Sequence, residues 1–298
     1  MTLRINGRTR LAGVIGNPLD HTLSPAMHNA AYETLELDWV YIPLRLADET
    51  DLMRFLGAAR VLPFVGFNVT MPFKQAMLSM CDEVAMLAQL AGAVNTVHCV
   101  DGRFIGYNTD GRGLIESLAA ETGFVPEGRS VAIVGAGGAA GAALVALILG
   151  KASKVSIVNR SLDKAEELVE RVIAHARSTE LSPVALSAGE KAVTTADLII
   201  NATSLGMKDG DPSPVPREWF SAAQVACDMI YGPNTTPFVE LARAAGATAV
   251  DGLGMLVHQG AISIDIWSES AQVRAPREIM REAALARLRM GRPEGGGK

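Results

Sequence analysis

Cysteine is scarce in this chain. Cys81, Cys99 and Cys227 are the only thiols among 298 residues. Their spacing fits neither a zinc knuckle nor a CxxC redox pair, and an odd count suits a reducing compartment better than a disulfide framework. The histidines (His21, His28, His98, His175 and His258) show no metal-ligand spacing, so no metal is expected. No Ser–His–Asp order and no Cys/His arrangement points to covalent catalysis. Basic runs are also missing. Twenty-seven Lys+Arg against 32 Asp+Glu leave a formal charge of −5, which gives little support for nucleic acid or an anionic membrane as main partner. The opening MTLRINGRTR is basic but leads into no apolar segment of the kind a secretion signal needs, so a cytoplasmic protein is expected.

Long hydrophobic runs are limited to one. Residues 131–150 carry no charge, matching a membrane span of about 20 residues. Gly135, Gly137, Gly138, Gly141 and Gly150 interrupt it, and its pattern changes midway from β-branched (Val131, Ile133, Val134) to Ala/Leu-rich. A buried strand, a tight turn and a buried helix account for all of this; a membrane helix accounts only for the hydrophobicity. With 49% hydrophobic and 20% charged residues the composition is globular, which excludes a disordered chain, and the length suits two domains of ordinary size.

The first third alternates candidate strands (11–15, 40–44, 65–69 and 93–98) with helical stretches at 25–35, 47–59 and from Phe73 past Leu90. That order implies βαβ crossovers and a mostly parallel sheet. Asp101-Gly102 reads as a hairpin turn into residues 103–106. The middle repeats the pattern, with strands at 130–134, 154–159, 198–202, 226–229 and 247–251, and helices at 139–149, 163–176 and 238–245. Two further helices (253–268 and 276–288) follow, and the tail GRPEGGGK reads as disordered.

Gly135-Ala136-Gly137-Gly138-Ala139-Ala140 follows a predicted strand and opens a predicted helix, as a G-x-G-x-x-G/A dinucleotide loop must. Glycine permits the tight turn and a close approach of backbone N–H groups to a pyrophosphate, which the helix N-terminus also favours. The next strand ends in Asn159-Arg160-Ser161, followed by Lys164, where an NAD site usually places a carboxylate for the ribose hydroxyls. A carboxylate would repel a 2′-phosphate. An Arg fork flanked by Asn and Ser donors would bind one, so NADP(H) is favoured over NAD(H). Ser161 can at the same time cap the helix that follows. The fold expected is a two-domain α/β protein: an N-terminal α/β domain with a mostly parallel sheet, and a Rossmann-type doubly wound cofactor domain, with C-terminal helices returning to the first.

Four clusters in the first domain sit where strands end, the usual ligand position in open α/β sheets. They are His21-Thr-Leu-Ser-Pro25, Asn68-Val-Thr-Met-Pro-Phe-Lys74, Gly92-Ala-Val-Asn-Thr96 and Asn108-Thr-Asp-Gly111. Read from the residues alone, Ser24-Pro25 is a helix cap with its N1 proline, Asp110 a helix cap, Asn95 turn chemistry and Gln259 an exposed helix face. Lys74 stands out, because a cation at a helix start opposes the macrodipole.

Together with Asp251-Gly-Leu-Gly-Met-Leu-Val-His-Gln259, these blocks resemble the shikimate dehydrogenase family in order and spacing over nearly the whole chain. The resemblance implies that Lys74 and Asp110 face each other as a catalytic pair, Lys74 exchanging a proton with the reacting hydroxyl or carbonyl during hydride transfer. It also implies that Thr22 and Ser24 bind the substrate carboxylate, and that Thr70, Asn95, Asp110 and Gln259 bond the ring hydroxyls. Tyr231 would touch substrate, and Met229 and Gly252 would line the nicotinamide. Thr22 stands where the family usually has Ser.

Residues 1–110, completed by 252–298, are then expected to hold the substrate and 111–251 to hold NADP(H). The expected reaction is reversible NADPH-dependent reduction of 3-dehydroshikimate to shikimate, a step toward chorismate and the aromatic amino acids, by a monomer or homodimer. Two alternatives stay open: a quinate/shikimate or aminoshikimate dehydrogenase with relaxed substrate or NAD use, and a catalytically silent NADP-binding regulator.

Overall fold

The computed structural model describes residues 5–208, 210–269 and 273–290. The chain divides into two units, one made of residues up to Thr109 together with those from Val257 onward, the other of Asp110–Leu256.

In the first unit, short β-branched and aromatic runs form a single sheet. Its strands are β1 (Arg10–Gly16), β2 (Trp39–Arg45), β3 (Phe64–Val69), β4 (Glu83–Val84), β5 (Thr96–Val100) and β6 (Arg103–Tyr107), in the order β2-β1-β3-β5-β6-β4. Pairings β1/β2, β1/β3 and β4/β6 are parallel, while β3/β5 and β5/β6 are antiparallel, so only β5 runs against the rest. All six residues of β3 are buried, as a strand covered on both faces requires. Asp101 and Gly102, at φ 49° and 74°, make the two-residue hairpin turn that the Asp-Gly pair predicts.

The helices α1 (Ser24–Thr34) and α2 (Glu49–Ala59) follow β1 and β2. α2 buries Leu52, Leu56 and Ala59, the three-to-four-residue spacing of one helix face. Asp48 caps it, its carboxylate accepting from the Asp51 N–H at 3.0 Å.

The helix expected from Phe73 past Leu90 is broken into pieces. Residues 71–76 form turns, α3 (Met77–Met80) is a single turn, β4 intervenes, and α4 (Met86–Ala91) ends at Gly92 with φ 69°. The cause is tertiary. The Asp82 and Ala85 N–H groups donate to the Phe104 and Gly106 carbonyls at 2.9 and 2.8 Å, so sheet pairing overrides a locally helical sequence. The strand expected from Ala93 starts only at Thr96, because the Val94 N–H is drawn to the Lys74 carbonyl at 2.8 Å.

The second unit holds α5 (Asp110–Thr122), β7 (Ser130–Val134), α6 (Gly138–Leu149), β8 (Lys154–Asn159), α7 (Leu162–Val172), β9 (Glu180–Ala185), α8 (Glu190–Thr194), β10 (Leu198–Asn201), β11 (Val225–Asp228), α9 (Pro237–Ala244) and β12 (Thr248–Val250). Every strand pairing is parallel and the order is β12-β11-β10-β7-β8-β9, the doubly wound arrangement whose order reverses between β7 and β10. The long uncharged run resolves into β7, a turn and α6, a helix apolar on nearly all sides and buried along most of its length. No helix among the described residues is long and apolar enough to cross a membrane. Gly111 lets α5 approach α6, since a Cβ there would collide with the Ala142 carbonyl oxygen.

Strand β9 has no counterpart in the expected pattern. It pairs only with β8, and Pro183 within it is tolerated because an edge strand can forgo one donor.

Two long helices close the chain, α10 (Leu253–Trp267) and α11 (Arg277–Met290), the latter packed on α1. Trp267 anchors the end of α10 by donating from Nε1 to the Val97 carbonyl at 2.9 Å. Gly66 of β3 makes that possible, because any side chain there would overlap the indole. The tail from residue 291 lies outside the described residues.

Candidate active site

Where the strand order of the second unit reverses, the chain leaving β7 must turn tightly beside the chain leaving β10. Gly135 does this at φ 115°, with its Cα so close to Ala202 that a Cβ would sit 2.9 Å from backbone atoms of that residue. At Gly137 the opposite holds: nothing lies within 4 Å of the position a Cβ would take. Helix α6 begins immediately after, and Gly137 at its cap makes no side-chain capping bond. Its first N–H groups therefore receive no side-chain cap, beside space left open at Gly137, an arrangement that can accept an anion. Ala140 is fully buried and packs the helix against its sheet.

A cleft of about 750 Å³ opens there, and seven of the residues expected to hold a cofactor line it: Gly135, Ala136, Gly137, Asn159, Arg160, Ser161 and Lys164. Asn159 donates from Nδ2 to the Ser161 carbonyl at 2.9 Å, fixing the turn after β8. Arg160 and Lys164 are exposed, and among the described residues neither has a carboxylate within 4 Å. Ser161 occupies the cap position of α7 but makes no side-chain capping bond, contrary to expectation. Open space at Gly137, uncapped helix N–H groups and an uncompensated cationic rim together fit a phosphorylated dinucleotide.

Gly138, Ala139, Met229 and Gly252 are not among the residues lining this cleft. Met229 and Gly252 do meet each other: the Gly252 N–H donates to the Ile230 carbonyl at 2.9 Å, and a side chain at 252 would overlap the Met229 carbonyl. Tyr231 follows, its hydroxyl pKa pushed up by burial. The opposite wall of the cleft was not anticipated. Ala202, Thr203, Ser204 and Leu205, with Leu186 and Pro214, complete it. The available signal was the small, polar Ala-Thr-Ser run directly after a strand at the switch point.

In the first unit, Asn95 sits just before β5, buried, as the hub of a polar cluster. Its Oδ1 accepts from the Thr109 N–H at 2.8 Å and from Thr96 Oγ1 at 3.0 Å. A backbone N–H can only donate, so the orientation of the amide is fixed and Nδ2 is the donor. It reaches Thr109 Oγ1 at 2.9 Å and Gln259 Oε1 at 3.3 Å. Gln259, read alone as an exposed position, is buried on α10 with its carbonyl committed to Asn95 and Thr109. Asn95 is likewise more than turn chemistry, since its side chain holds the start of the 109–110 segment.

Thr22 and Ser24 lie side by side, the Ser24 N–H donating to Thr22 Oγ1 at 3.4 Å. Ser24 does not cap α1; Leu23 holds the cap position without a capping bond, and buried Ser24 is the first helical residue. Thr70 follows β3, its N–H donating to the Ile15 carbonyl at 2.9 Å, and Gly16 leaves room for its methyl. Lys74 is half-buried in the 71–76 turns and not at the helix start expected for it. Asp110, in the other unit, is buried as the first residue of α5.

Family models match three stretches of the chain: the shikimate dehydrogenase substrate binding domain over residues 14–97, shikimate/quinate 5-dehydrogenase over 118–207, and the shikimate 5′-dehydrogenase C-terminal domain over 252–285. The shikimate dehydrogenase (NADP+) of Methanopyrus kandleri is 40% identical over 295 residues, covering 97% of this chain and 99% of that one. The chain belongs to the shikimate dehydrogenase family.

Solved structures of the shikimate dehydrogenase family superpose on it closely. The shikimate 5-dehydrogenase of Thermus thermophilus, in complex with NADP(H) and shikimate, matches with a TM-score of 0.83 at 35% identity, over 94% of this chain and 100% of that one. The quinate dehydrogenase of Corynebacterium glutamicum, in complex with NAD, reaches the same TM-score, 0.83, at 29% identity over 93% and 99%. Shikimate dehydrogenase relatives and a quinate relative thus share one fold with this chain.

Proposed function

We propose that the protein is an NADP-dependent shikimate dehydrogenase that interconverts 3-dehydroshikimate and shikimate. The unit of residues up to Thr109 and from Val257 would take the substrate, and the unit of Asp110–Leu256 the cofactor. One observation carries the cofactor assignment: the cleft beside Gly137 has Arg160 and Lys164 on its rim, neither within 4 Å of a carboxylate among the described residues. A 2′-phosphate is thereby attracted and not repelled. Family membership over nearly the whole chain and the polar cluster around Asn95 support the substrate assignment.

Bound NADPH supplies the hydride. Gly135–Ala139 and the α6 N-terminus would hold its pyrophosphate, Asn159, Arg160, Ser161 and Lys164 its adenosine 2′-phosphate, and Met229 and Gly252 its nicotinamide end. In this assignment Thr22 and Ser24 bind the substrate carboxylate, while Thr70, Asn95, Asp110 and Gln259 bond its hydroxyls and Tyr231 packs on it. A ring with several hydroxyls needs such convergence, since each one buried unpaired costs about 1–3 kcal/mol. Lys74 as the ammonium hydrogen-bonds the carbonyl oxygen and passes it a proton as the alcohol forms. Asp110 would act with Lys74 as the catalytic pair. Operation in the cytoplasm, where thiols stay reduced, agrees with three free cysteines.

The test is kcat/KM for shikimate and for quinate, each with NADP+ and NAD+. The highest value is expected for shikimate with NADP+. Preference for quinate or NAD+ would move the assignment to a quinate/shikimate dehydrogenase. Nucleotide binding without turnover of either polyol would indicate a silent binder.

A further inference from the structure

The wall of the cofactor cleft that the sequence did not announce is held by two buried side chains, Asn201 at the end of β10 and Asp228 at the end of β11, both fully inaccessible. Asn201 Oδ1 accepts from the Thr203 N–H at 3.0 Å and from Thr203 Oγ1 at 2.7 Å. Since the Thr203 N–H can only donate, the amide has one orientation, and its Nδ2 donates to the Leu205 carbonyl at 3.2 Å and to Asp228 Oδ1 at 3.0 Å. Thr203 Oγ1 in turn accepts from the Leu205 N–H at 3.1 Å. The loop from Thr203 to Leu205 is therefore folded around the Asn201 amide.

Asp228 extends the chain of bonds to a second segment. Its Oδ1 also accepts from the Ile230 N–H at 3.0 Å, and its Oδ2 from Thr236 Oγ1 at 2.5 Å. Thr236 caps α9 through the Val239 N–H. The Met229 N–H donates to the Asn201 carbonyl at 3.0 Å, closing the circuit. One buried pair thus sets the shape of Thr203–Leu205, which walls the cleft, and of Met229–Ile230, expected at the nicotinamide.

We propose that Asn201 and Asp228 are positioning residues for the dinucleotide, fixing both cofactor-facing segments through the direction of their hydrogen bonds. This rests on the assignment of the cleft to NADP(H). Neither residue lines the cleft, so both act through Thr203, Leu205 and Met229. What matters is donor and acceptor direction, not the Asp228 charge. Burial pushes the Asp228 carboxyl pKa up, the Thr236, Ile230 and Asn201 bonds pull it down, the Asp251 charge raises it, and the net shift is upward, toward the neutral form. An Asn at 228 keeps the two bonds its oxygen accepts, from Ile230 and Asn201, while its nitrogen can donate to Thr236 Oγ1, whose hydroxyl hydrogen is free to rotate. An Asp at 201 puts an oxygen where the amide nitrogen donates to the Leu205 carbonyl and Asp228 Oδ1, so it loses both of those bonds.

The experiment measures the NADP+ dissociation constant of wild type, Asn201→Asp and Asp228→Asn by nucleotide fluorescence, with KM for shikimate at saturating NADP+. Asn201→Asp is expected to weaken NADP+ by at least about tenfold, the size of one buried bond lost. Asp228→Asn should stay within about threefold, and KM for shikimate in both should change less than the nucleotide affinity. General damage to the fold would lower the active fraction and leave the affinity of the remaining molecules unchanged. If Asn201→Asp does not fold, Asn201→Ser, too short to reach Asp228 and Leu205 together, takes its place with the same expectation. Unaltered NADP+ affinity in the position-201 variant overturns the proposal, as does equal weakening by Asp228→Asn. A wild-type chain that binds no NADP(H) sinks the cofactor assignment itself, and this inference with it.

Discussion

His28 offers a quantitative test of the packing in the first unit. Its ring is fully buried, stacked on Tyr41 at 4.1 Å between centroids, with Trp267 at 5.7 Å. Nδ1 meets Tyr32 Oη at a long 3.4 Å, and Nε2 has no hydrogen-bond partner among the described residues. Burial lowers its pKa from 6.5 to about 3. A base with a depressed folded pKa is held neutral by the fold, and below pH 6.5 only the unfolded chain gains the proton. Its contribution is intact above that pH and is lost progressively as pH falls toward 3.

At about 1.4 kcal/mol per pH unit, the loss reaches about 2 kcal/mol at pH 5 and approaches about 5 kcal/mol below the folded value. His28→Leu removes the titration while keeping a similar volume, and should cost about 1 kcal/mol of aromatic stacking at every pH. Urea unfolding of wild type and variant, followed by tryptophan fluorescence at about pH 8 and about pH 5, isolates the effect, because all other titrating groups are shared. Wild type should lose about 2 kcal/mol more than the variant across that interval. Equal losses in the two proteins would mean that His28 is solvated or charged in the folded state, and the burial argument would be wrong.

Lys74→Ala and Asp110→Asn should each lower kcat by roughly 10²–10⁴-fold with an unchanged circular dichroism spectrum and unchanged NADP+ affinity; normal turnover in either would remove that residue from the mechanism. Arg160→Ala combined with Lys164→Ala should weaken NADP+ by about 10–100-fold and leave NAD+ nearly unaffected, as direct titration of both nucleotides would show. Gly135→Ala forces a side chain into φ 115° and against the Ala202 backbone. A thermal melt should show a loss of about 1–3 kcal/mol, with nucleotide binding impaired; a stable variant with wild-type affinity would contradict the tight-turn role.

Periodicity and turn chemistry were legible wherever local sequence and fold agree. The strand–glycine–helix unit of β7 and α6, the Asp-Gly hairpin and the cationic end of β8 lie within a few residues of where their patterns put them. The misses share a cause. Residues 73–90 are helical by local preference yet are divided by pairing with β6, a partner some twenty residues away in sequence (Glu83 opposite Ile105). β9 was hidden by Pro183, which is harmless only because that strand lies at an edge, a fact of topology. Lys74 attracted notice as a cation at a helix start, but it lies in the 71–76 turns.

Alone, then, the order of residues determined the class of fold, the glycine turn and the sign of charge around the cleft, because each depends on neighbours within about one turn of chain. Tertiary structure decided which polar side chains are buried and which groups they bond. Asn95, Gln259, Asn201 and Asp228 look alike as polar residues near strand or helix ends. Only folding removes water from them, and a buried donor or acceptor must then find a protein partner of the right polarity. Those partners lie up to 164 residues away, as for Asn95 and Gln259, beyond the reach of any local pattern.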